Sequence, residues 1–176
     1  MTSFIENIQI IVPAVVKYNP KYILDIGSGF GKYGLLIREA MLSLRSEAGD
    51  LTPDYWGVKI DCMDEAKYFL ACPSVKAVYN RILECNAKTI IVPSEYDFIL
   101  LIDVAEHWSR EEYFNFVKGV KRNNPNCKIL VSTPKEVVMY TERHYDSETH
   151  HTQFTEADFA GAIENLSSHL SHIYVV

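Results

Sequence analysis

The chain has 176 residues, 48% of them apolar and 23% charged, with a formal net charge of −6. This composition excludes a disordered or fibrous chain, and the length suits one domain with a sizeable core. The acidic balance argues against nucleic acid held mainly by phosphate neutralisation, and no stretch reaches the ~20 apolar residues of a membrane span.

Residues 1–16 include Glu6 and lack both a basic start and a small-residue cleavage site, so no secretory signal is expected. Cys62, Cys72, Cys85 and Cys127 form no C-x-x-C pair. Reduced thiols in a cytoplasmic protein are the expectation, rather than a zinc knuckle or a redox motif.

Phe4, Ile5, Ile8, Ile11, Val12, Val15 and Val16 recur at helical spacing and predict an N-terminal helix over residues 1–18, with Pro13 as a kink or break. Residues 22–26 form an apolar run that ends in glycines, which predicts a buried strand and a tight turn. A helix follows over 33–47. Strand two is expected over 55–60 and a helix over 64–71, ended by Pro73, with a further short turn over 75–79. Strand three is expected over 81–85. Strand four, 96–102, is apolar almost throughout, as a strand covered on both faces should be. A helix over 110–121 and strand five over 127–132 complete the alternation.

Residues 133–152 are polar and aperiodic, and a segment over 133–154 is expected to form an active-site loop. Thr155-x-x-Asp158 is a capping box that predicts a helix over 155–165. Residues 169–176 read as a last strand. Strands alternating with helices predict a doubly wound, mostly parallel α/β sheet in three αβα layers. Ligands of such sheets bind beyond the carboxyl ends of the strands, at the switch point. The polar residues that follow each strand are therefore the candidates.

The first candidate is Asp25-Ile26-Gly27-Ser28-Gly29-Phe30-Gly31, where glycines permit positive φ and close approach of a ligand to the backbone. A dinucleotide fingerprint requires a third glycine where Lys32 stands, which speaks against an oxidoreductase. Asp61, followed by Cys62, is expected at the end of strand two, where a carboxylate accepts both ribose hydroxyls. Asn86 and Ala87 follow strand three. Strand four leads into Asp103-Val104-Ala105-Glu106-His107.

The D-x-G-x-G-x-G turn resembles motif I of the class I S-adenosylmethionine-dependent methyltransferases. Tyr96-Asp97-x5-Asp103-Val104-Ala105-Glu106-His107 resembles that family's segment around strand four. Ile129 to Pro134 resembles its strand-five signature, and Glu148-Thr149-His150 with Phe154-Thr155 resembles its late E-x-H…W-T segment. The likeness covers residues 22–160. It implies a single methyltransferase domain over 1–176 with S-adenosylmethionine as cofactor. The cofactor would be bound by Asp25, Gly27, Ser28, Gly29, Phe30, Gly31, Asp61, Cys62, Asn86, Ala87 and Asp103. Asn86 stands where the family usually has an acid that bonds the adenine amino group.

Methyl transfer from a sulfonium is an in-line displacement, so alignment and exclusion of water are the main demands. His107 titrates in the range of a base, with Glu106 and His150 as further catalytic candidates. The expected acceptor is an oxygen or nitrogen of a small molecule, such as a sugar or metabolite. A second reading stays open: Asp103, Glu106 and His107, spaced i, i+3, i+4, with His150 or His151 would suit a divalent cation. That pattern resembles the metal-dependent RNA 2′-O-methyltransferases, whose segment is Glu-x-x-Glu-His plus a late His. A third reading is a cofactor-binding module without turnover. Tyr140 and Tyr145 are candidates to line an acceptor pocket. The family's sheet has seven strands, and residues 169–176 read as the sixth. The seventh is therefore expected to be missing, the last strand either to pair in parallel with strand five or to leave a gap that a partner fills, and its edge to offer a homodimer contact.

Overall fold

The computed structural model of the chain describes residues 4–47, 58–136 and 150–176. Its strands are β1 (Tyr22–Ile26), β2 (Lys59–Asp64), β3 (Ile82–Glu84), β4 (Phe98–Ile102), β5 (Lys128–Pro134), β6 (Glu164–Asn165) and β7 (Ser171–Val175). Its helices are α1 (Ile8–Tyr18), α2 (Lys32–Glu47), α3 (Lys67–Leu70), α4 (Pro73–Val78) and α5 (Arg110–Asn123). None of the described helices is long and apolar enough to cross a membrane.

The strands form one sheet in the order β3-β2-β1-β4-β5-β7-β6. The first five are parallel to one another, whereas β7 is antiparallel to both β5 and β6. All five residues of β4 are buried, which accounts for its continuous apolar run. Successive side chains leave opposite faces of the sheet. Ile23 and Leu100 pack with α1 and α2, while Leu24, Ile99 and Leu101 pack with α5. Each buried Leu or Ile contributes about 1.5–3 kcal/mol.

Local signals end the helices. Pro13 lies inside α1, but the helix runs on because Ile11, Ala14 and Val15 bury one face. It stops at Asn19, in the left-handed region at φ 46, whose N–H bonds the Val16 carbonyl. Ser109 and Glu112 form a reciprocal capping box at the start of α5.

Three expectations need correction. Strand two begins at Lys59 and runs on to Asp64, four residues past the expected end, because Ile60, Cys62 and Met63 are all buried in the sheet. The helix expected over 155–165 is a single 3-10 turn, Glu156–Phe159, although its capping box does form. After that turn the Ile163 N–H bonds the Val175 carbonyl and the Leu166 N–H bonds the Ile173 carbonyl, so sheet pairing takes the backbone groups a helix would need. That pairing makes β6, and the seventh strand is present.

The strand read as the sixth is therefore β7, inserted between β5 and β6. The five residues between β6 and β7 allow a hairpin but not a crossover, so the pair is antiparallel. Ile173, Tyr174 and Val175 are flanked on both sides and buried. They offer no free edge, and the homodimer expected along it loses its basis.

Candidate active site

The carboxyl ends of β1, β2, β3 and β4 meet at one rim, at the switch point where the chain passes from β3 back across to β4. A cavity of about 240 Å³ opens there. Its first wall is the turn after β1. The Gly27 N–H bonds the Met63 carbonyl at 2.8 Å, and the Gly31 N–H bonds the Ser28 carbonyl at 2.9 Å. Gly27 has φ +68, and a Cβ there would lie 2.4 Å from a Val104 methyl, so only glycine fits. Gly29 has φ +52 and lines the cavity, and a Cβ there would meet nothing within 4 Å. Gly29 thus exposes its backbone to open space, as a cradle for a ligand requires.

The second wall is the end of β2. Asp64 lines the cavity and accepts the Gly29 N–H at 3.3 Å and the Ala66 N–H at 2.9 Å. Burial raises its carboxyl pKa. Asp61 is not there. It pairs in register with Leu24, below the rim, and its carboxylate accepts Arg81 Nε at 2.8 Å and the Tyr96 hydroxyl at 2.8 Å. The acid facing the cavity is Asp64, with Glu65 beside it. Cys62, fully buried beside Asp61 in the core, does not line the cavity either, and burial pushes its thiol up to about 12.

Of the other expected cofactor contacts, Gly27, Asn86, Ala87 and Asp103 line the cavity. Asn86 is held by donating to Glu65 at 2.8 Å and accepting the Lys88 N–H at 2.9 Å. Asp25, Ser28, Phe30 and Gly31 are not among the lining residues. Asp25 lies buried beneath the turn and accepts the Tyr79 hydroxyl; burial pushes its carboxyl up to about 7. Phe30 lies edge-on to Phe69, which does line the cavity, at 4.8 Å between ring centroids.

The third wall is the turn after β4. Asp103 is a non-glycine residue at φ +54, held by its N–H to the Ser132 carbonyl and by the Ser132 hydroxyl to its carboxylate, both at 2.9 Å. A 3-10 turn over Ala105–His107 follows. His107 faces the cavity, and Glu106 is buried behind it. Burial, and then the charge of Asp103, push the Glu106 carboxyl well above its usual range.

Residues 150–152 close the site from the other side. The His151 and Thr152 N–H groups donate to the Glu106 carbonyl at 2.8 and 3.1 Å, and the Thr152 hydroxyl donates to the Trp108 carbonyl at 2.7 Å. This strap sets the His150 ring 4.9 Å from that of His107, tilted 70°. His150 is buried, and His151 lines the cavity. Tyr140, His144, Tyr145 and Glu148 lie outside the described residues.

Sequence reasoning missed Asp64, Glu65, Tyr68, Phe69, Trp108 and His151 as lining residues, or left them unassigned. One signal was available for the acids. Ile60, Cys62 and Met63, the nearest residues on both sides of Asp61, are apolar, and the first polar pair that ends the run is Asp64-Glu65.

No family model matches the chain, and no curated protein matches its sequence. Solved structures do match its fold. Magnesium protoporphyrin IX methyltransferase (ChlM) from Synechocystis PCC 6803, with S-adenosylmethionine bound, is 14% identical with a TM-score of 0.62, over 97% of this chain and 77% of that one. CalO1, a methyltransferase in calicheamicin biosynthesis solved with S-adenosylhomocysteine, is 16% identical with a TM-score of 0.63, over 97% of this chain and 52% of that one. Human N-acetylserotonin methyltransferase, in complex with S-adenosylmethionine, is 15% identical with a TM-score of 0.58, over 96% of this chain and 50% of that one. The chain has the class I methyltransferase fold, a Rossmann-like, mostly parallel sheet.

Proposed function

We propose that the chain binds S-adenosylmethionine in the cavity at the switch point and transfers its methyl group to an oxygen or nitrogen of a small-molecule acceptor. The observation that carries this reading is the cradle at Gly29. Its backbone faces open space at positive φ, and Asp64 beside it holds the turn and presents a carboxylate to the same cavity. Bound there, the sulfonium supplies an electrophilic methyl carbon and a neutral thioether leaving group.

The chain's own residues supply alignment. Asp64 and Glu65 accept hydroxyl protons of a ribose, and Asn86 with Ala87 borders the base. Asp103, fixed by Ser132, and the Gly27 turn hold the opposite end near strand four. Such positioning is worth several kcal/mol of the barrier. His107, the imidazole on the wall, takes the acceptor's proton where one must leave. Trp108 and His151 border the same space and exclude water from it.

The small-molecule reading of the acceptor draws on the net charge of −6 and on the fold neighbours, whose names include a porphyrin and an N-acetylserotonin methyltransferase. The four cysteines are free thiols, which fits a reducing compartment. Isothermal titration with S-adenosylhomocysteine tests the reading. Micromolar binding by the parent and its loss in Gly29→Val are expected. Folded parent protein that gives no heat at millimolar ligand would sink it.

A further inference from the structure

Tyr79 and Asp25 form a buried polar pair beneath the glycine turn, and neither lines the cavity. The Tyr79 hydroxyl donates to the Asp25 carboxylate at 2.5 Å. The Tyr79 ring is wedged against the chain that leaves the turn. A Cβ at Gly31 would lie 3.3 Å from that ring, and one at Gly34 would lie 2.6 Å from both ring and hydroxyl. At Gly34 only glycine leaves room for Tyr79, and the Gly34 N–H is directed at its hydroxyl. One side chain thus ties the first turn of α2 to the end of β1, the two elements that the glycine turn joins. Ile26 and Gly27, the next residues after Asp25, border the cavity.

A buried carboxylate is costly unless donors hold it. Burial raises the Asp25 carboxyl, the Tyr79 hydroxyl lowers it and the charge of Asp64 raises it, which leaves it at about 7. The other titratable groups facing the pair are Cys62 on β2, a thiol that burial keeps protonated, and Arg38 on α2, whose guanidinium interacts with Tyr79. β4 places the apolar Leu100 opposite Asp25.

We propose that Tyr79 is a positioning residue that, through Asp25, makes the cradle prefer a sulfonium ligand over its neutral thioether product. The inference rests on the methyl-transfer reading. S-adenosylmethionine and S-adenosylhomocysteine differ only in one methyl group and the positive charge it leaves on sulfur. An ionised Asp25 behind the wall attracts the charged ligand and does not attract the sulfur of the other. At an effective dielectric of about 20, unit charges even ~10 Å apart change an affinity on the order of tenfold. The Tyr79 hydroxyl favours the ionised form of Asp25, and the ring fixes where that charge stands. The product lacks the charge that the pair attracts, which favours its exchange for fresh cofactor.

The test is calorimetric titration of the 176-residue chain with each ligand from about pH 6 to about pH 8, read as the ratio of the two affinities. In the parent the preference for the sulfonium ligand should rise at least about threefold over that range as Asp25 ionises. Asp25→Asn should remove that rise, whereas anything Asp64, Asp103 or His107 adds to the ratio remains in both proteins. Tyr79→Phe keeps the ring but not the donor, so the rise should move to higher pH. A hydroxyl with a merely structural role would lower the melting temperature and leave the ratio profile where it was. Thermal melts identify a variant that fails to fold, and the other of the two then decides. An equal rise in parent and Asp25→Asn, or a parental profile in Tyr79→Phe, overturns the proposal. Binding of both ligands with a ratio that neither variant alters removes this proposal alone. A folded parent that binds neither ligand removes the methyl-transfer reading and the proposal with it.

Discussion

Asp61 and Asp64 lie three residues apart on one strand, and the structure gives them different tasks. In Asp64→Ala the cavity loses a carboxylate placed to accept ribose hydroxyls. Hydrogen bonds to a charged group contribute about 1.5–3 kcal/mol, and about 1.4 kcal/mol is a factor of ten. The Kd for S-adenosylhomocysteine should therefore rise roughly 10- to 100-fold. Part of that rise comes from the Gly29 N–H, which loses its acceptor. In Asp61→Ala the ligand affinity should stay within about twofold of the parent, since the carboxylate faces Arg81 and Tyr96 and a change with no ligand contact is worth only a few tenths of a kcal/mol. The stability should fall, because the buried Tyr96 hydroxyl loses its acceptor at a cost of about 1–3 kcal/mol. For a domain of this length that is a Tm lower by roughly 2–10 °C. Calorimetric titration and thermal melts of the two variants make the comparison. If Asp61→Ala weakens the ligand more than Asp64→Ala while both remain folded, the assignment is wrong.

Gly29→Val should abolish measurable nucleoside binding with a stability loss of about 1–3 kcal/mol, since φ +52 strains any β-branched residue and the new side chain fills the cradle; parental affinity in titration would make the turn structural only. Asp25 predicts a pH effect. Burial holds its carboxyl at about 7 in the folded chain, above the ordinary 3.8 of an aspartate, so its contribution is fully present below about pH 4 and is lost as pH rises to about 7. Urea melts across that range should show parent stability declining, and Asp25→Asn should flatten the decline; equal slopes would refute it. Ser109→Ala removes the acceptor at the start of α5 and should cost about 1 kcal/mol, seen as a lower urea midpoint with unchanged cofactor affinity.

The parallel half of the fold was legible because its signals are local. β1 and β4 are short apolar runs followed by turn residues, and both appear where the sequence puts them. β2 was misplaced because Asp61 looks like the end of a strand. It is tolerated inside the sheet only by Arg81 and Tyr96, 20 and 35 residues further on, and no local pattern shows such a contact. The C-terminal part failed for a related reason. The capping box at Thr155 is real, but a two-residue strand has too few side chains to show a period. The bonds that define β6 come from β7. Of the site residues read from motif, Gly27, Gly29, Asn86, Ala87, Asp103 and His107 line the cavity, and Asp25, Ser28, Phe30 and Gly31 do not. His150 was also named from motif, but how the strap of 150–152 is held, by backbone hydrogen bonds to the Glu106 carbonyl, has no local signature.

The two hydrophobic clusters, one on each face of the sheet, bear on how such a protein can change over generations. Most residues that border the cavity stand on turns at the strand ends rather than within either packed face. Substitutions at positions such as Tyr68, Lys88 or His151 alter what the mouth admits without opening a void in the interior. Replacing Leu24 or Leu100 costs several kcal/mol whatever the cavity binds. A lineage with this scaffold can therefore exchange ligands by drift and selection at the rim while the interior stays under purifying selection. A mutagenesis library confined to the rim should retain far more folded members than one of equal size drawn from the sheet.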